Sequence, residues 1–183
     1  MDSRKPRDRL LQTATEVFYR EGVHGVGVDR VLAEAGVTRA TMYRHFAGKE
    51  DLVVAWLEAE DATIRGLFAQ AASAGGTPAE LLEAVIDGIA ADATRLHTRG
   101  CPFINASAEY PDPESPVRQV VRRHRAWFRE TLTSLAEAAD RPQPAQVAAQ
   151  LVLLRDAMLV GHYLDGDGVE PAFRAAARAV CGL

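Results

Sequence analysis

The chain is sparing with cysteine, aromatics and lysine, and each shortage excludes something. Two cysteines in 183 residues, Cys101 and Cys181, cannot build a disulfide framework and stand in no metal-ligand spacing, so a reducing compartment is expected. No run approaches the roughly 18 apolar residues that cross a bilayer, so a membrane anchor is not expected. The opening residues, MDSRKPRDRL, are polar and charged, without the apolar centre of a secretion signal, and the expected location is cytoplasmic. Enzyme signatures are missing as well: the sequence holds no G-x-S-x-G, H-E-x-x-H, phosphate-binding loop or C-x-x-C. Gly25-Val26-Gly27 lacks the third glycine of a dinucleotide loop and follows a helical pattern rather than a strand. Glu21-x-x-His24 has no second copy of the kind a helical di-metal centre requires. Asp165-Gly166-Asp167-Gly168 lacks the later oxygen ligands of a calcium loop. No metal, no cofactor and no enzyme activity are expected.

What is present has an uneven distribution. Hydrophobic residues make up 48% and charged residues 25%, which suits a folded globular chain rather than a disordered one. The net charge of -4 conceals a polarity: residues 1–49 carry nine Lys/Arg against six Asp/Glu, and residues 50–183 twelve against nineteen. A weakly basic head on an acidic body is compatible with nucleic-acid contact by the head alone.

Apolar residues recur at helical spacing nearly everywhere, and no segment reads as a strand, so the expected class is all-α with about nine helices. The first helix spans about Pro6 to Glu21, with Leu10, Leu11, Ala14, Val17 and Phe18 on one stripe and glycines 22 and 25 beyond it. A short helix follows from Val28 to Ala35, opened by Gly27 and stopped by Gly36. Thr38 caps a second short helix, Arg39 to Phe46. A long helix covers Lys49 to Ser73 with a stripe of Leu52, Val53, Trp56, Leu57, Ile64, Leu67 and Phe68. Thr77-Pro78-Ala79-Glu80 is a capping box opening a helix that carries Leu81, Leu82, Val85, Ile86, Ile89 and Leu96 and stops near Gly100. Residues 102–109 can make one or two turns. Helices are then expected over Val117–Ala139, Gln146–Leu164 and Pro171–Cys181.

The stretch from 25 to 52, GVGVDRVLAEAGVTRATMYRHFAGKEDL, carries the functional signal. Two short helices separated by Ala35-Gly36-Val37-Thr38 have the form of a helix-turn-helix, at about residues 27–46. On the second helix Met42 and Phe46 share an inner face. Ala40, Tyr43 and Arg44 point the other way, flanked by Arg39, Thr41 and His45. An outer face with a phenol, two guanidiniums, a hydroxyl and an imidazole suits a major groove: donors for phosphate oxygens and forks for guanine edges. Short helices with outward arginines also occur on ordinary wet surfaces.

The surrounding frame is more specific. Val17-Phe18-Tyr19-Arg20-Glu21-Gly22, Val31-Leu32-Ala33-Glu34-Ala35-Gly36-Val37, Thr41-Met42-Tyr43-Arg44-His45-Phe46 and Lys49-Glu50-Asp51-Leu52 together resemble the N-terminal domain of the TetR family of transcriptional regulators. Residues 100–118 look, more weakly, like the effector-domain segment of one TetR subgroup. The resemblance implies a DNA-binding domain over residues 1–50 and an effector-binding and dimerisation domain over 51–183. It implies phosphate contacts from Tyr43 and Lys49, and Thr38, Arg39, Ala40, Thr41, Arg44 and His45 in or near the major groove. Two departures from the family pattern stand out. Val26-Gly27 occupies the place of a common Thr-Ser, which removes a side-chain cap, and Leu32 replaces a small residue.

The resemblance also implies a repressor that binds operator DNA as a homodimer and is released by a small-molecule effector, with the dimer surface on the last two long helices. Ala148, Leu151, Val152, Leu159, Ala175 and Ala179 would permit close approach there. Expected pocket residues are Trp56, Phe68, Phe103, Asn105, Tyr110, His124, Trp127, Phe128, Met158 and His162, an aromatic-rich middle with a few polar groups. Aromatics at helical spacing also build ordinary cores. The alternative from another class is a helical small-molecule or redox-sensing module, the latter through Cys101, without sequence-specific DNA binding.

Overall fold

The computed structural model describes residues 5–183; residues 1–4, the start of the polar leader, lie outside the described residues. Among the described residues every regular element is helical. The α-helices are α1 (Pro6–Glu21), α2 (Val28–Ala35), α3 (Arg39–Tyr43), α4 (Lys49–Ser73), α5 (Pro78–Ala91), α6 (Pro102–Glu109), α7 (Pro116–Ala138), α8 (Pro144–Asp165) and α9 (Val169–Cys181). A π-helical turn, Asp92–Leu96, continues α5, and a 3₁₀ turn, Gly166–Gly168, joins α8 to α9.

The chain forms two compact units. One holds the described residues up to Thr63 together with Pro102–Arg122; the other holds Ile64–Cys101 and Arg123–Leu183. In the first unit α1 packs on α2 and α3. Its core gathers Leu10, Ala14, Val17, Phe18, Val31, Met42, Phe46, Leu52, Val53, Trp56 and Leu57. Phe18 and Trp56 pack ring to ring, 6.1 Å between centroids. Phe103 and Ala106 of α6 are buried in the same unit. In the second unit α8 packs along α9 and both meet α5. Leu82, Ile86, Leu132, Leu151, Met158 and Leu159 are fully covered there.

Local chemistry sets the helix ends. Pro6, Pro78 and Pro144 stand in first turns, where a missing N–H costs nothing. The expected capping box is complete: Thr77 Oγ1 accepts from the Glu80 N–H at 3.3 Å, and Glu80 Oε2 accepts from the Thr77 N–H at 2.7 Å. Those bonds hold the Glu80 carboxyl below its ordinary pKa, the Thr77 backbone contributing most.

Four expectations need correction. α3 ends at Tyr43 rather than Phe46, because its last turn tightens: the N–H groups of His45 and Phe46 both bond to the Met42 carbonyl, at 2.8 and 2.9 Å. Phe46 is still buried. Leu96, expected on the inner stripe of α5, is 62% exposed, since the π turn inserts a residue into the helical repeat and rotates the side chains beyond it. Leu67 on α4 is 52% exposed instead of inward. Finally, Pro144–Cys181 is long and apolar enough to cross a membrane by length and composition, whereas no such run was expected. It consists of α8 and α9 joined at Gly166–Gly168, with Arg155 and Asp156 inside α8.

Candidate nucleic-acid interface

The α2–α3 pair is built by a few specific contacts. Gly36 ends α2 in the left-handed conformation, φ 60°, which a residue with a Cβ adopts at a cost. Its N–H and that of Val37 return to the carbonyls of Ala33 and Leu32, at 3.3 and 3.0 Å. Val37 is buried in the angle between the helices. From α1, Arg9 Nε donates to the Ala35 carbonyl at 3.2 Å and Nη2 to the Gly36 carbonyl at 3.3 Å, so a cation closes the negative end of α2. Thr38 caps α3, its Oγ1 accepting from the Thr41 N–H at 3.2 Å. α2 has no side-chain cap at Gly27, as the Val26-Gly27 departure implies, and Leu32 is accommodated as a buried residue.

This frame turns one side of α3 inward and leaves the other open. Met42 is 1% exposed and Phe46 3%, while Tyr43 is 54% exposed. Thr38, Arg39, Ala40, Arg44 and His45 are exposed, and Thr41 and Lys49 half-buried. The exposed side chains are partly braced. Arg39 pairs with Asp29 of α2, and hydrogen bonding to the Tyr43 phenol, followed by the Asp29 carboxylate, keeps its guanidinium above its ordinary pKa. Arg44 Nη2 donates to Thr41 Oγ1 at 3.1 Å. Behind α2, Arg30 reaches Glu21 and Glu34, and Glu21 is held below the usual carboxylate range by Arg30 first and Arg20 second. The guanidinium of Arg7 lies 5.4 Å from the Phe46 ring centroid. α4 starts at Lys49, with the Ala47 N–H bonded to Asp51 Oδ2 at 3.0 Å.

The α6 segment contributes a grip on this head that sequence reading missed. Glu109 accepts from the N–H groups of Val23 and His24 at 2.7 and 2.5 Å, and from His24 Nδ1 at 3.0 Å. Burial pushes its carboxyl up, yet the bonds from His24, Val23 and the imidazole prevail and hold it below its ordinary value. Tyr110 packs on His24 with 5.5 Å between ring centroids. A contact across 86 residues leaves no local pattern in a sequence.

The expected pocket residues separate into two groups. Trp56 belongs to the core of the first unit, where its Nε1 donates to Glu60 at 3.2 Å. Phe103, Asn105 and Tyr110 lie in that unit too and line neither cavity of the second. The reason is the α6 segment, which folds with the N-terminal helices. In the second unit Phe68 lines two cavities, one with Trp127 and one with Phe128. His124 is buried and stacked on Phe128 at 16°, and Met158 is fully buried core; neither lines these two cavities. His162 Nδ1 is 3.8 Å from Asp167, also away from both. Arg155, absent from the expected residues, lines the second cavity although it is only 5% exposed. Both cysteines are free and buried, and Arg155 Nη1 lies 3.4 Å from Cys101 Sγ.

On α8 and α9 the expected surface residues also divide. Ala148, Leu151, Val152 and Leu159 are buried within the unit, whereas Ala175 and Ala179 are exposed. The outer apolar side chains of α8 are Leu153, Val160 and Leu164, at 67%, 36% and 69% exposure. Their spacing of seven and four residues places them on one stripe.

Comparison with known proteins bears on both halves of the chain. The family model described as "Bacterial regulatory proteins, tetR family" matches residues 10–56, and the one described as "Tetracyclin repressor-like, C-terminal domain" matches residues 78–180. SCO4454, a TetR-family transcriptional regulator from Streptomyces coelicolor, is 41% identical, with a TM-score of 0.92 over 97% of this chain and 94% of that one. A crystal structure described as a tetr-transcriptional regulator from Streptomyces avermitilis is 28% identical, with a TM-score of 0.81 over 97% of this chain and 98% of that one. The transcriptional regulator LmrA of Bacillus subtilis is 25% identical over 80% of this chain and 81% of its own length. All three are described as regulators and none as an enzyme.

Proposed function

The chain belongs to the TetR family of helix-turn-helix transcriptional regulators, and from that premise we propose that it is a cytoplasmic repressor that binds operator DNA as a homodimer and leaves it when a small-molecule effector binds. The observation that carries the DNA reading is the division of α3, with Met42 and Phe46 covered while Tyr43 stands open to solvent. Arg44 and His45 read base edges, as donors aimed into a major groove do. Tyr43 and Lys49 hold phosphates, and Thr38, Arg39, Ala40 and Thr41 line the approach. Arg39 and Arg44 enter this task already braced, by Asp29 and Thr41, so less side-chain freedom is lost on binding.

One short reading helix contacts too few base pairs to select a site, so two heads on a near-palindrome are needed, their centres about 34–36 Å apart or a multiple of that. The exposed stripe of Leu153, Val160 and Leu164 with Ala175 and Ala179 supplies the self-complementary surface. The effector enters the second unit beside Phe68. Occupancy acts through α4, a single helix that begins at Lys49 and carries Ile64, Leu67 and Phe68 further along. The effector must favour the DNA-incompetent arrangement, since equal affinity for both states shifts nothing.

Selection of bound duplexes from a random pool tests this reading. The expected result is an inverted repeat, with binding that weakens steeply as salt rises. Enrichment of no sequence, or of a single unrepeated half-site, would contradict it.

A further inference from the structure

The cavity lined by Phe128 and Arg155 has the chemistry of a specific ligand class. It encloses about 440 Å³. Its walls are apolar, from Ile64, Leu67 and Phe68 of α4, Val85 and Ile89 of α5, and Phe128 of α7. Leu67 and Leu96, two of the large apolar side chains the fold leaves exposed, both border it. The π turn supplies Asp92, Arg95 and Leu96 to the same wall, and single π turns inside α-helices are frequent at functional sites.

The charge balance inside is uneven. Arg155 is 5% exposed, and a guanidinium cannot shed its proton to escape burial. Both of its hydrogen bonds to described residues leave from Nη1, one to Cys101 Sγ at 3.4 Å and one to Asp156 Oδ1 at 3.2 Å. Asp156 is at the same time bound by Arg125 through both oxygens, at 3.1 and 2.8 Å. One carboxylate thus serves two guanidiniums, and the Nε and Nη2 donors of Arg155 are unspent. The Phe128 ring, 5.4 Å away, covers the guanidinium on one side. Among the lining residues Arg95 adds a second positive charge, and the opposing Asp92 carboxylate is occupied by His97 Nδ1 at 2.6 Å. The larger cavity of about 530 Å³ has no such group: its Arg65 lies over the Trp127 ring at 4.1 Å.

Building on the regulator reading, we propose that this cavity binds a hydrophobic monocarboxylate, its chain against the apolar walls and its carboxylate on the fork of Arg155. A guanidinium fork matches a carboxylate with two parallel bonds, and a low-dielectric wall strengthens them. An alkylamine would add a cation to an already positive site, and an alcohol would bring no second anion to the two guanidiniums that share Asp156.

Calorimetric titration of the full-length protein with decanoate, decanol and decylamine, each below its aggregation concentration, tests the assignment. Decanoate is expected to bind at least about tenfold more tightly than decanol, the scale of a charged hydrogen-bond pair, and decylamine to give no binding. Arg155→Met should remove the preference, with decanoate weakened at least about tenfold and decanol within about twofold. Gly88→Leu provides a second variant that fills the cavity: Gly88 lines it, and a Cβ there meets nothing within 4 Å. Its melting temperature should hold while decanoate binding disappears. Equal affinity for decanoate and decanol, a preference surviving Arg155→Met, or no decanoate binding would overturn the proposal. The titration contains no DNA, so failure of operator binding and failure of this ligand assignment are read separately.

Discussion

Single side chains do different work on the two faces of the head. Lys49 and Arg44 are both cations, but they differ in shape: an ammonium suits a phosphate, and a fork suits a guanine edge. Lys49→Ala should weaken all DNA sequences alike and lower the salt slope by about one, whereas Arg44→Ala should also relax preference at particular base pairs. Competition binding on single-substitution operators separates them, and uniform loss for Arg44→Ala would demote that residue to a phosphate contact. Glu109 works from the inside. Its carboxylate accepts from two backbone N–H groups and one imidazole, so Glu109→Gln should cost about 1–3 kcal/mol near neutral pH. Because the folded carboxyl titrates below its ordinary value, this contribution is present above the usual carboxylate range and is lost as pH falls through the folded pKa. Urea unfolding of the two proteins should therefore differ at pH 7 and converge as the pH falls through and beneath the usual carboxylate range; a constant gap would mean the carboxylate charge is irrelevant. The residue types at α3 were readable in sequence because their spacing decides which face they share. The Val23 and His24 partners of Glu109 and the Cys101 partner of Arg155 were not, since those contacts join segments far apart along the chain.

At the scale of elements, the head depends on one backbone conformation. Gly36 sits at φ 60°, and a Cβ there meets nothing within 4 Å, so any cost of substitution is conformational. Gly36→Ala should lower stability by about 1 kcal/mol and Gly36→Asn by less, because asparagine tolerates the left-handed region. Equal losses in urea midpoint for the two variants would count against that explanation. Capping signals placed the starts of α2, α3 and α5 correctly. Helix ends were harder. α3 closes in a tightened turn at Met42, and α5 passes into a π turn, neither of which has a composition signature. The same irregularity moved Leu96 from the expected core to the rim of a cavity. The resemblance of residues 100–118 to an effector-domain segment suggested Phe103, Asn105 and Tyr110 for the pocket, whereas α6 falls in the compact unit of the N-terminal helices, a grouping that follows complementary surfaces rather than chain order.

For the whole molecule, the division of charge matters more than its sum. Residues 1–49 carry an excess of Lys/Arg and the rest an excess of Asp/Glu, so the head is drawn to a duplex that the body repels. The proposed dimer would hold two such heads in register. The Leu153, Val160 and Leu164 stripe is exposed, so Leu153→Asp should leave the fold intact, convert the protein to monomer at micromolar concentration and weaken operator binding. Sedimentation velocity reads the first effect, and an unaltered dimer would move the interface elsewhere. The central claim is that the open face of α3 meets DNA, and the most direct measurement is operator affinity between 50 and 200 mM salt for the native protein and a Tyr43→Ala, Lys49→Ala double variant. Affinity is expected to fall with salt by orders of magnitude, about 10³-fold or more if six or more phosphates are held, with a slope shallower by about one for the variant, since of the two residues only Lys49 carries a charge. Salt-independent binding, or identical slopes for the two proteins, would contradict it.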